Sequence, residues 1–176
     1  MKTSFGVTLF GSSLLATLQL AAPMSSQAQS PPPRFELENN QLKLPAAVVF
    51  ETGSDKLKPE SDAALSHVAA YLNDKTYISL MRIENHSDSS GAAPASQQLS
   101  EKRALAVGRW LIAHGIECKR LLAVGFGGTK PVADNATPDG KAQNRRTVFA
   151  NAALRGRLIG GMPADGGGVV AGDLCK

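Results

Sequence analysis

Between residues 46 and 150, short apolar runs that read as strands alternate with two longer segments whose apolar residues return every third or fourth position. That alternation limits the possible folds more than any other feature, because a period near two makes a sheet surface and a period near 3.6 makes one face of a helix. AAVVF (46–50) is short and continuously apolar, as a strand covered on both faces would be. It stops at ETGSDKLKPESD, where Gly53 allows a tight turn and Pro59 suits the first turn of a helix. Leu65, Val68, Ala69 and Leu72 then recur at helical spacing. YISLMRIE returns as a strand. A second helix is expected over roughly Ser96 to His114, with Leu99, Arg103, Val107 and Leu111 in one row, Ala104 and Ala106 beside it, and Gly115 closing it. RLLAVGFG and RRTVFAN read as two further strands joined by the loop GTKPVADNATPDGKAQN, and upstream FELENNQLKL reads as two short strands around an Asn39–Asn40 turn. One sheet with both helices on one face buries both apolar rows. The expected architecture is therefore a two-layer α/β sandwich with a βαβαββ body, without internal repeat or second domain.

The ends divide into separate segments. MKTSFGVTLFGSSLLATLQLAAP has Lys2 followed by an uncharged apolar stretch, and Ser26 and Ala28 supply small residues at the −3 and −1 positions of a signal-peptidase site. Residues 1–28 are thus expected to be a cleaved secretory leader. The alternative is a membrane-anchoring helix, since residues 5–22 are nearly long enough to span, although glycines and serines interrupt them. No cysteine stands at the end of the leader to take a lipid. Residues 29–44 form a proline-rich lead and the short strand pair, 45–152 the main domain, and 153–176 a tail whose glycines argue against a packed element. No later segment reads as transmembrane. The two cysteines, Cys118 and Cys175, would pair in an oxidising compartment and tie the tail to the body; free or intermolecular thiols are the alternative.

The formal charge is +4, and removal of Lys2 with the leader lowers it by one. No basic stripe interleaved with aromatic residues accompanies it, which argues against a nucleic-acid partner. His67, His86 and His114 share no short metal-ligand spacing, so neither metal nor cofactor is expected. Serines flank His86 and Asp88, but no nucleophile-elbow motif is present, which argues against a hydrolase.

The most informative stretch is ENHSDSSG (84–91), a polar run at the exit of a buried strand. Arg103, in the middle of an apolar helical row, must snorkel outward, pair with a carboxylate or receive a ligand. Asp88 is the nearest candidate carboxylate. A structural pair and a ligand clamp are both open from these residues. Together they form a bipolar site, with an acceptor for an ammonium and a planar donor fork for a carboxylate, which suits a zwitterion such as an amino acid.

IENHSDSSGAAPASQQLSEKRALAVGRWLIAHGI and RLLAVGFGGTKPVADNATPDGKAQNRRTVF, over about residues 45–150, resemble the C-terminal peptidoglycan-binding domain of the outer-membrane protein A family, shared with peptidoglycan-associated lipoproteins and flagellar stator proteins. The resemblance implies that Asp88 and Arg103 hold the ammonium and a carboxylate of diaminopimelate in the stem peptide of the cell wall. It implies that Asn144 fixes a loop, that Arg145 and Arg146 border the groove, and that His86 supports loop geometry. Asn85 replaces the usual glycine of the family tetrad and is expected to keep the turn by tolerating positive φ. Ser96 replaces an asparagine and is expected to cap the helix. The resemblance further implies a non-enzymatic periplasmic protein, wall-associated, with association to the outer membrane as the second option and an envelope protein as a further partner. The alternative is a protein-interaction module of the same fold that has lost wall binding.

Overall fold

The computed structural model describes residues 34–161 and 163–176; the leader and most of the proline-rich lead lie outside the described residues. β1 (Leu37–Glu38) and β2 (Gln41–Leu42) pair across Asn39 and Asn40, whose φ angles of 50° and 63° are the left-handed conformation a two-residue hairpin requires. There follow α1 (Asp62–Asp74), β3 (Ile78–His86), α2 (Ala93–Ala113), β4 (Leu121–Gly127), α3 (Pro138–Asn144), β5 (Thr147–Leu154), β6 (Arg157–Leu158) and β7 (Val169–Val170). The sheet runs β1-β2-β5-β3-β4-β7, with β6 also on β5; β3 and β4 are parallel, and the other pairings are antiparallel.

The helical rows do what their spacing requires. Leu65, Val68 and Leu72 of α1 and Ala104, Val107 and Leu111 of α2 are fully buried in one cluster with Met81, Ile83, Ala123 and Phe149 of the sheet. Each buried leucine is worth about 1.5–3 kcal/mol. Asn151, on the same face of β5, gives its amide to the Tyr71 hydroxyl of α1 at 2.9 Å. α2 approaches β4 so closely that a Cβ on Gly125 would lie 2.6–2.7 Å from Glu101 and Ser100. Only glycine fits at that crossing.

Three expectations are corrected. AAVVF is not a strand covered on both faces: Ala46 and Ala47 are exposed, and Phe50 makes only an isolated bridge to Leu57. Its backbone groups are claimed elsewhere, since Val49 exchanges hydrogen bonds of 2.8 Å with the Ser61 hydroxyl and Val49 O accepts from Lys58 N. The loop before β5 contains α3, with Pro138 in its first turn and the Thr137 hydroxyl accepting from Gly140 N at 3.0 Å. Seven residues without an apolar row gave no helical period to detect.

The tail is the third. It is a packed strap across the sheet's second face, not a loose tether. β7 adds to the edge of β4, and Ala171 N donates to Ala123 O at 2.9 Å. Arg82 Nη1 donates to Ala164 O at 2.8 Å and Lys130 Nζ to Gly166 O at 2.7 Å. Leu174 lies against Gly108 of α2, and a disulfide joins Cys118 to Cys175 across 57 residues of sequence. The glycines admit the crossing: a Cβ on Gly168 would strike Val124 and Phe126, and one on Gly166 would strike the Arg82 guanidinium.

Alternation along β3 turns Arg82, Glu84 and His86 to this second face. Glu84 receives Arg82 at 2.6–2.7 Å and lies 3.2 Å from His86 Nε2, and His86 stacks on Phe126 with ring centroids 4.8 Å apart. Burial alone would raise the Glu84 carboxyl, but His86 and Arg82 outweigh it and hold it below the usual range. Burial pushes the His86 imidazole down, and Arg146 and Lys130 add to this against the pull of Glu84. His86 Nδ1 has no hydrogen-bond partner, which fits a neutral ring with its proton on Nε2. Both shifts have one sign: below about pH 6.5 the unfolded chain takes up the His86 proton more readily than the native one, and below about 4.5 the same holds for Glu84. The melting temperature is therefore expected to fall from pH 7 to 5 and more steeply below 4.5. Replacing His86 with glutamine should flatten the upper part of that curve; an unchanged slope in circular-dichroism melts would contradict the assignment.

Candidate functional site

The carboxyl end of β3 feeds the loop carrying Asp88, and α2 then crosses back to parallel β4. A βαβ unit opens its binding crevice at the carboxyl ends of its strands. There lies a cleft of about 620 Å³, walled by residues 47–53 on one side and by Asp88, Arg103, Arg145, Arg146 and Thr147 on the other. A second hollow of about 490 Å³ adjoins it and shares Arg145, Arg146 and Thr147.

Asp88 and Arg103 both line the cleft, but they are not each other's partners. Asp88 Oδ1 accepts the Ser90 amide at 2.9 Å and Oδ2 is paired with Arg145 Nη1. Burial would raise the Asp88 carboxyl; Ser90 and Arg145 together bring it below its ordinary value. Arg103 lies with its guanidinium 4.9 Å from the centroid of the Phe50 ring, and its Nε donates to Ser54 O at 2.8 Å. Among the described residues, none accepts from its terminal amino groups. Burial lowers the Arg103 pKa; nearby Asp55 opposes this and the charge of Arg145 adds to it. The arginine fork is thus fixed through Nε and the ring, on a residue that lines the cleft.

The other expected residues divide between rim and scaffold. Arg146 donates to Asn144 O at 3.4 Å and Lys130 O at 3.2 Å, which anchors it at the rim. Asn144 is fully buried: Oδ1 accepts from Val132 N and Ala133 N, and Nδ2 donates to Ala133 O and Asn135 Oδ1, all at 2.8–3.0 Å. It fixes the loop before α3. His86 borders the cleft, but its ring is buried against Phe126 and Glu84.

Two local expectations fail for physical reasons. Asn85 is an extended strand residue paired with Gly125 and Thr147, so no left-handed turn is needed there; its Nδ2 donates to Thr147 Oγ1 at 2.9 Å. Beyond it β4 carries one extra residue, Phe126, a bulge that brings the ring against His86. Ser96 does not cap α2. The helix begins a turn earlier, at Ala93 after Ala92, and the Ser96 amide already donates to Ala92 O. Phe50 and Ser54, which fix Arg103, and the Arg145–Asp88 pair went unseen in the sequence because all are long-range contacts.

Comparisons with known proteins identify the family and the fold. The OmpA family profile matches residues 49–145, just over half of the chain. Outer membrane porin F of Pseudomonas aeruginosa is 41% identical over 106 residues, covering 60% of this chain and 30% of porin F. The outer-membrane lipoprotein YfiB of the same species is 34% identical over 117 residues, covering 65% of this chain and 69% of YfiB. Among solved structures, the peptidoglycan-associated lipoprotein of Burkholderia pseudomallei superimposes with a TM-score of 0.53 at 30% identity, over 61% of this chain and 89% of that one. The chain spans less than half the length of several of its curated relatives. No helix among the described residues is long and apolar enough to cross a membrane. The chain belongs to the OmpA family, a family of non-enzymatic binding domains.

Proposed function

We propose that the protein binds peptidoglycan non-covalently through the diaminopimelate of the stem peptide, and so tethers or organises the cell envelope from the periplasm. The observation that carries this is one cleft holding a carboxylate, Asp88, and a pre-positioned guanidinium with unengaged donors, Arg103. A diaminopimelate residue offers the complementary pair, an ammonium and a carboxylate on one short frame. Charge-assisted hydrogen bonds at both ends are each worth about 1.5–3 kcal/mol. The names of its relatives, among them a peptidoglycan-associated lipoprotein and a cell wall anchor of Pseudomonas aeruginosa, support the same assignment.

Purified protein is expected to co-sediment with insoluble cell wall that contains diaminopimelate and to release no soluble fragments from it. Equal recovery in the supernatant with and without wall would refute binding, and release of muropeptides would point to an enzyme. In cells, digestion of the wall is expected to release the protein into the soluble fraction. Retention in the membrane pellet would point instead to a membrane anchor or a membrane-bound partner.

A further inference from the structure

We propose that Arg145 is a resident counter-ion of the cleft, which a ligand ammonium must displace from Asp88, and that this exchange sets the selectivity of the site for a free amine. The proposal rests on the function proposed above. Three arginines line the cleft, and they are held differently. Arg103 is fixed by Ser54 O and the Phe50 ring, and Arg146 by two backbone carbonyls. Among the described residues, the Arg145 side chain is held by the Asp88 carboxylate alone and is 50% exposed, whereas Asp88 is only 12% exposed. Ser90 N bonds Oδ1 and Arg145 bonds Oδ2 of this largely buried carboxylate, so a ligand amine reaching Asp88 competes with Arg145 for it.

The Arg145 end of the pair is half open to water, which screens it, so it yields to a competitor presented at high local concentration. A ligand whose carboxylate is already docked on Arg103 presents its amine in that way. A ligand whose amine is blocked cannot replace the guanidinium and gains nothing from Asp88. Arg145 also sits close enough to Arg103 to disfavour its charge. Arg145 keeps the largely buried Asp88 carboxylate neutralised.

Calorimetric titration with a diaminopimelate-containing muropeptide, and with the same muropeptide acetylated on its side-chain amine, separates the outcomes. Arg145→Ala is expected to bind the free-amine form about twofold to fivefold more tightly than the parent, as removal of a weak competing pair implies. Binding of the acetylated form should be unchanged. Arg145→Lys, which restores a cation beside Asp88, should return affinity towards the parent value and serves as the folding control. Equal or weaker binding of the free-amine form by Arg145→Ala, with the parent binding it, overturns the counter-ion role while leaving the proposed function intact. Failure of the parent to bind the free-amine form overturns both.

Discussion

Arg103→Ala is expected to lower wall binding at least tenfold, the largest loss from any single side chain in the cleft. The substitution removes a donor fork that is already oriented, so it would delete the charge-assisted, two-pronged contact proposed for the ligand carboxylate. Loss of one or two such bonds corresponds to about 1.5–3 kcal/mol or more, a factor of ten to a hundred. Arg103→Lys separates charge from geometry: the stem and cation remain while the planar fork is lost, and an intermediate affinity is expected. Asp88→Asn should weaken binding from the other end, since the amide keeps the shape but attracts no ammonium. Arg103 also packs over Phe50, so each variant needs a melting curve beside its co-sedimentation assay. Variants that melt like the parent and bind like it would show that the wall is held elsewhere.

The difference between Arg103 and Arg145 shows where the sequence is legible and where it is not. Arg103 stands out because a helical row is a local, periodic object: a charge at i+4 from Leu99 and i−4 from Val107 is anomalous on sight. The two helices, the strands β3 to β5, the Asn39–Asn40 hairpin and the Cys118–Cys175 pairing were legible for similar reasons of period, turn chemistry and count. Arg145 gives no such signal. Its partner is 57 residues away, and only the fold of α3 and the loop after β3 brings them together. AAVVF misled because an apolar run records burial propensity without saying which backbone will pair with it; here Ser61 and Lys58 intervene. The tail misled in the opposite sense. Glycine usually signals absent packing, but at Gly166 and Gly168 it marks contacts too close for a side chain.

That reinterpretation leads to a large stability effect at a site remote from the cleft. Replacing Cys118 and Cys175 together with serine is expected to cost about 2–4 kcal/mol, because the disulfide closes a long loop whose freedom is regained in the unfolded chain. For a domain of this size that corresponds to a fall in melting temperature of roughly 10 °C. The loss should be uneven. Residues 163–175 keep the β7 pairing, the Ala171–Ala123 bond, the bonds from Arg82 and Lys130, and the packing of Ala171 and Leu174 at the margin of the core, whereas the buried residues of α1, α2 and the sheet keep one another. Hydrogen exchange should therefore accelerate first at Val169, Val170 and Ala171 and along the β4 edge they cover, with α1 and α2 still protected. Once the strap lifts, the Glu84 cluster beneath it is hydrated, and the dependence of stability on pH between 7 and 5 should become shallower than in the parent. If the double variant instead loses protection uniformly, or keeps the tail as protected as before, the strap is not a separately releasable element. In that case the second face is part of the same cooperative core as the helices.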